Sequence, residues 1–116
     1  MHELSLLEGM IQGLEEEARE RGFSRVAQIR LEVGRLAGAE VEALRFAFGP
    51  ATQDTLADGA TLEIIEIPGV GICRTCGREV EIEARFDPCP ACGEGFVDVT
   101  GGASLRILDI DVEGGP

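Results

Sequence analysis

The chain has 116 residues, enough for one compact domain or for a small domain carrying a metal-stapled module. Its 22 acidic residues outnumber its 10 basic ones, and the net charge of −12 argues against nucleic acid as the main partner. No apolar run approaches the roughly eighteen residues of a membrane-spanning helix. The first twenty residues hold no basic residue before Arg19, and Glu3 and Glu8 break the apolar positions, so no secretory signal is expected.

In chain order, Met1-His2-Glu3 opens the sequence. Leu4, Leu7, Met10, Ile11, Leu14 and Ala18 then recur at three- and four-residue steps, one apolar stripe of an amphipathic helix. Gly22 suits the residue just past its end. The acidic run Glu15-Glu16-Glu17 falls largely off the stripe and reads as a solvated face. Residues 26–33 alternate Ile29, Leu31 and Val33 with Gln28, Arg30 and Glu32, the pattern of a half-buried strand. Gly34 and Gly38 bracket a turn. Val41, Leu44, Ala47 and Phe48 form a second helical stripe, with Glu40 and Glu42 at its positive end. Gly49-Pro50 should kink or stop that helix.

Residues 61–67 read as a second strand, with apolar residues on both faces, and 105–112 as a third. Pro68-Gly69 and Gly101-Gly102 mark boundaries around a segment holding all four cysteines. Between the cysteine pairs, Val80, Ile82 and Ala84 alternate with Glu79, Glu81 and Glu83, a short strand. The fold class expected is α+β: a three-stranded sheet with two helices on one face, plus an inserted zinc-ribbon module. The domains expected are 1–68 with 103–116, discontinuous in sequence, and 69–102. A module of that size needs a staple such as a metal.

Cys73-Arg74-Thr75-Cys76 and Cys89-Pro90-Ala91-Cys92 supply the staple. Two C-x-x-C turns can present four thiolates to one ion, and four sulfurs at tetrahedral corners are what zinc accepts in a closed structural site. Gly77 and Gly93 follow the pairs, where such a turn needs a residue tolerant of positive φ. Two disulfides are the competing reading. Cysteines used as metal ligands fit a reducing cytoplasm.

The single histidine is residue 2. A lone histidine is ordinarily without chemical role. Here the Met1 amine, the deprotonated His2 amide and His2 Nδ1 can close fused five- and six-membered chelate rings. Three nitrogens in one plane suit Ni(II) or Cu(II). The fourth donor is either the Glu3 carboxylate or the Glu3 backbone nitrogen.

Met1-His2-Glu3-Leu4-Ser5, the stretch from Ile29 to Leu36, Leu44-Arg45-Phe46-Ala47-Phe48, the stretch from Asp58 to Ile64 and the paired C-x-x-C motifs together resemble the HypA family. These are the nickel-incorporation proteins of [NiFe]-hydrogenase maturation and, in some organisms, urease maturation. The resemblance implies a cytoplasmic metallochaperone rather than an enzyme. It implies nickel at Met1, His2 and Glu3, and zinc at Cys73, Cys76, Cys89 and Cys92. It also implies a HypB-type GTPase and the hydrogenase large subunit as partners; a monomer or a homodimer is compatible with it. The chain departs from the family pattern at Gly49-Pro50, and it has no histidine near the cysteines to assist at zinc. The alternatives are a rubredoxin-like iron electron carrier, which would not need the preceding helix-and-sheet domain, and a zinc-ribbon interaction module. A hydrolase is least expected, as no nucleophile has a base beside it.

Overall fold

The computed structural model describes residues 3–114. Met1 and His2, two of the three expected nickel ligands, lie outside the described residues. The chain forms two compact units: residues up to 31, 39–64 and from 107 onward in one, and 32–38 with 65–106 in the other.

In the first unit, α1 (Glu3–Arg21) buries Leu7, Ile11, Leu14 and Ala18, the expected stripe. It ends where Gly22 takes a φ of 83° and its N–H reaches the Ala18 carbonyl at 2.9 Å. The second helix, α2 (Val41–Thr52), packs against α1 and buries Leu44, Phe48, Ala51 and Thr52. The strands β1 (Arg25–Gly34) and β2 (Thr61–Ile67) follow the expected positions closely. Every apolar residue of β2 is half-buried, on both faces of the strand.

Gly49-Pro50 does not stop α2, which runs one half-turn beyond it. Proline removes the bond that would go to the carbonyl four residues back. That carbonyl belongs to Phe46, which is exposed, so water can take the missing donor's place. Beyond the proline, buried Ala51 and Thr52 hold the last turn, and Thr52 Oγ1 donates to the Phe48 carbonyl at 2.8 Å.

The last strand of the chain is Leu105–Glu113, and it lies beside β1 in a three-stranded sheet with β1 at the centre. Ile29, Leu31 and Val33 on one face of β1 are buried. The alternate residues are polar and make ion pairs instead, Arg30 with Asp109 at 2.6 Å and Glu32 with Arg106 at 2.7 Å. An apolar face and a charged face on one strand put both helices on the apolar side. Leu44 is fully buried in this core. Leu44→Ala should therefore destabilise the first unit by about 2–5 kcal/mol in urea unfolding.

The second unit contains a three-stranded antiparallel sheet of its own. In chain order its strands are β3 (Gly69–Cys73), β4 (Glu79–Ile82) and β5 (Val97–Gly101), and the Leu105–Glu113 strand is then β6. The sheet order is β4-β3-β5. Only β4 is expected from the alternation between the cysteine pairs; β3 and β5 are additional. Leu36, Cys73, Ile82, Cys89 and Val97 form its small core.

Candidate metal centre

The register of β3 against β4 and β5 brings the two cysteine pairs together. Cys73 ends β3 opposite Val97, and Cys76 follows in the turn toward β4. Each pair sits in the same kind of tight turn. Gly77 donates to the Cys73 carbonyl at 2.9 Å, and Gly93 to the Cys89 carbonyl at 2.7 Å. Both glycines hold the positive φ expected of them, 73° and 79°. Backbone N–H groups then point at sulfur: Thr75 and Cys76 at Cys73 Sγ, 3.3 and 3.4 Å, and Ala91 at Cys89 Sγ, 3.3 Å.

All four sulfurs lie within 4.8 Å of one another. Cys73 Sγ is 3.7 Å from Cys92 Sγ, and Cys76 Sγ is 3.8 Å from Cys89 Sγ. Sulfurs placed about 2.3 Å from a central zinc at tetrahedral corners stand about 3.8 Å apart. A disulfide holds its sulfurs at about 2.05 Å, so these cysteines are not paired covalently. The four-sulfur donor set and its spacing fit a tetrahedral zinc; an iron of rubredoxin type would use the same cage. Cys73 and Cys89 are buried, while Cys76 and Cys92 are exposed, so one side of the cage meets solvent.

The cage is electrically uneven. The backbone N–H groups of Cys76 and Thr75 outweigh desolvation and bring the Cys73 thiol down to about 6, so it is a thiolate at neutral pH. At Cys76 the Arg78 N–H acts to lower the thiol. Desolvation and the neighbouring sulfurs of Cys73, Cys89 and Cys92 outweigh it and push it up to about 11. Metal binding must displace that proton, so affinity for the ion falls as the solution is acidified.

Two features of this centre carry no signal in the cysteine spacing. Gly95 lies against the cage so closely that a Cβ there would overlap Cys73 Sγ and press on Thr75. Gly95→Ala should therefore displace Cys73 and lower the metal bound at the cage well below one ion per chain, measured by metal analysis after gel filtration. Arg74, inside the first C-x-x-C, is the second. It grips Asp98 with distances of 2.8–2.9 Å and lies over the Phe96 ring, 4.7 Å from its centre. This pairing holds the Asp98 carboxyl below its usual range and bridges the first cysteine turn to β5.

Of the expected nickel ligands, Glu3 is described. It is the first residue of α1, and its Oε2 accepts the Glu40 N–H at 3.0 Å. Glu40 is the N-cap of α2 and has no side-chain cap of its own. The starts of the two helices are thus tied together directly after the His2 position. The four cysteines are brought together; Glu3 lies in the other unit. Among the described residues no other group of His, Cys, Asp and Glu side chains has metal-binding spacing, and no helix is long and apolar enough to cross a membrane.

Residues 1–112 match the family model described as hydrogenase/urease nickel incorporation, metallochaperone, hypA. The chain is 54% identical over 113 residues to the hydrogenase maturation factor HypA of Alkalilimnicola ehrlichii, covering 97% of this chain and 100% of that protein. It is 49% identical over 112 residues to the HypA of Rhodobacter capsulatus, covering 97% and 99%. Its fold is similar to the solution structure of the Ni metallochaperone HypA from Helicobacter pylori, with a TM-score of 0.68 and 21% identity over 98% of this chain and 99% of that one. A whole-length family match, near-complete coverage of these relatives and a shared fold agree: the chain belongs to the HypA family of hydrogenase/urease nickel-incorporation metallochaperones.

Proposed function

We propose that this protein carries one Ni(II) at Met1, His2 and Glu3 and keeps Zn(II) at Cys73, Cys76, Cys89 and Cys92. The nickel is cargo, and the zinc is architecture. The nickel-binding domain is 1–68 with 103–116, and the zinc-binding domain is 69–102. The observation that carries this reading is that the family match begins at residue 1, on Met1-His2-Glu3, and runs past the last cysteine.

The terminal amine, the His2 amide and His2 Nδ1 supply three nitrogens in one plane, an arrangement suited to a d⁸ ion. The fourth donor comes from Glu3. Its carboxylate already accepts the Glu40 N–H, so carboxylate ligation has to share or give up that bond; the Glu3 backbone nitrogen would leave it in place. A site built on the first three residues requires little packed structure to open. That suits an ion that has to be handed on, and an affinity in the micromolar class, about −8 kcal/mol. The positive end of α1 disfavours a cation, and a deprotonated amide with Glu3 at the first turn offsets this.

Zinc at the thiolate cage supplies no chemistry of its own to the transfer. It fixes the two cysteine turns and so the second unit. The protein works in the cytoplasm with a HypB-type GTPase, delivers nickel for the large subunit of [NiFe]-hydrogenase or for urease, and catalyses no reaction itself. The test is calorimetric titration of nickel into protein with its native start and into protein extended by one glycine before Met1. The native start should bind one nickel and the extended chain much less. Equal binding by both would remove the amine from the site. A colourless protein with one zinc per chain is expected at the cage, and a red one with iron would replace the zinc assignment.

A further inference from the structure

Phe86 occupies a position where a phenylalanine is hard to explain by folding alone. It is the third residue of a turn over 84–87, closed by the Asp87 N–H to the Ala84 carbonyl at 3.2 Å and by the Ala84 N–H to Asp87 Oδ2 at 3.0 Å. Its φ is 72°, a left-handed conformation that is costly for a residue with a bulky side chain and free for glycine. The ring recovers little by burial, since the residue is 83% exposed. Among the described residues its one ring contact is with Phe96, 6.4 Å between centres and tilted by 56°. Phe96 is itself 49% exposed and carries the Arg74 guanidinium on its face, held there by Asp98.

Two exposed rings and a fixed guanidinium thus stand together beside the cysteine cage. Exposed aromatic and arginine side chains of this kind are the usual anchors of protein–protein contacts. The charge of the surrounding segment narrows the occupant. Glu79, Glu81, Asp87 and Glu94 make no ion pair among the described residues, against two such arginines, Arg78 and Arg85. A zinc held by four thiolates adds two further negative charges. Nucleic acid is repelled by such a surface, and a second copy would set like charges against like.

We propose that Phe86, with Phe96 and Arg74, is the anchor by which this chain docks a partner protein presenting an apolar pocket rimmed by lysine or arginine. The proposal rests on the partner reading above, in which the occupant is one of the proteins of nickel delivery. Phe86→Gly and Phe86→Asn separate it from a structural role, because both residues tolerate the turn. Each variant should keep one zinc per chain and an unfolding midpoint equal to or above that of the parent. Each should bind the purified GTPase or large-subunit precursor, measured separately by interferometry, about tenfold or more weakly. Unchanged affinity for both partners overturns the proposal, and so does loss of zinc or of stability in both variants. Self-association of the parent that the variants lose assigns the patch to a second copy and overturns it too. If the parent binds neither partner, the partner reading fails, and this inference with it.

Discussion

His2→Ala should abolish stoichiometric nickel binding while leaving the fold and the zinc content unchanged. In the proposed site the imidazole Nδ1 closes the six-membered chelate ring, and without it the amine and amide would be left with one five-membered ring. Nothing else in the chain can substitute for it, because there is no second histidine. The expected loss is a hundredfold or more in affinity, about 2.7 kcal/mol, which moves a micromolar-class site beyond ordinary titration. The fold should be indifferent to the change. Helix α1 begins at Glu3, and its first buried residue is Leu7. The cysteine cage belongs to the other unit. Calorimetry, circular dichroism and zinc analysis on the same preparation check all three expectations. One nickel bound with parental affinity would show that the imidazole is not a ligand.

The second large effect belongs to the proposed zinc. Cys89→Ser, at a fully buried position, should release the ion and unfold residues 65–106 while the other unit stays folded. The second unit's core consists of Leu36, Ile82 and Val97 beside two of the cysteines, with Val80 and Val99 packed against it. So few apolar side chains cannot offset the entropy of ordering about forty residues. A structural zinc contributes on the order of 10–16 kcal/mol in modules of this kind, enough to decide whether this one folds. The first unit has its own core in Leu7, Ile11, Leu14, Val26, Ile29, Leu31, Leu44 and Phe48. Amide exchange with a strong chelator present should show protection lost over β3, β4 and β5 and kept over α1 and α2. Retention of a full zinc complement by Cys89→Ser, with those strands still protected, would mean that packing and not the metal holds the unit.

How legible these features are in the amino-acid pattern follows from physical causes. Helix α1 is readable because a single stripe and a terminal glycine point to the same boundary. The cysteine cage is readable because spacing alone constrains a tetrahedral donor set. The end of α2 is not, because the cost of Pro50 depends on whether the orphaned carbonyl can reach water, which only tertiary placement reveals. β3 is hidden by its glycines. Gly69 and Gly71 look like punctuation, yet a Cβ at either would strike Ile82 or Asp98 backbone across the sheet, so they are there to let strands approach. The burial of Gly95 against sulfur arises from contact between distant segments, and no local pattern encodes it; at Phe86 the left-handed φ falls on a residue type that carries no turn signal.

Where the two metals sit separates cargo from architecture, and X-ray absorption at the nickel and zinc edges answers that directly. Protein with its native first residue, loaded with one equivalent of each ion, should show nickel ringed by nitrogen and oxygen donors and zinc by four sulfurs. A nickel edge dominated by sulfur scattering, with the His2 imidazole left unbound, would contradict it.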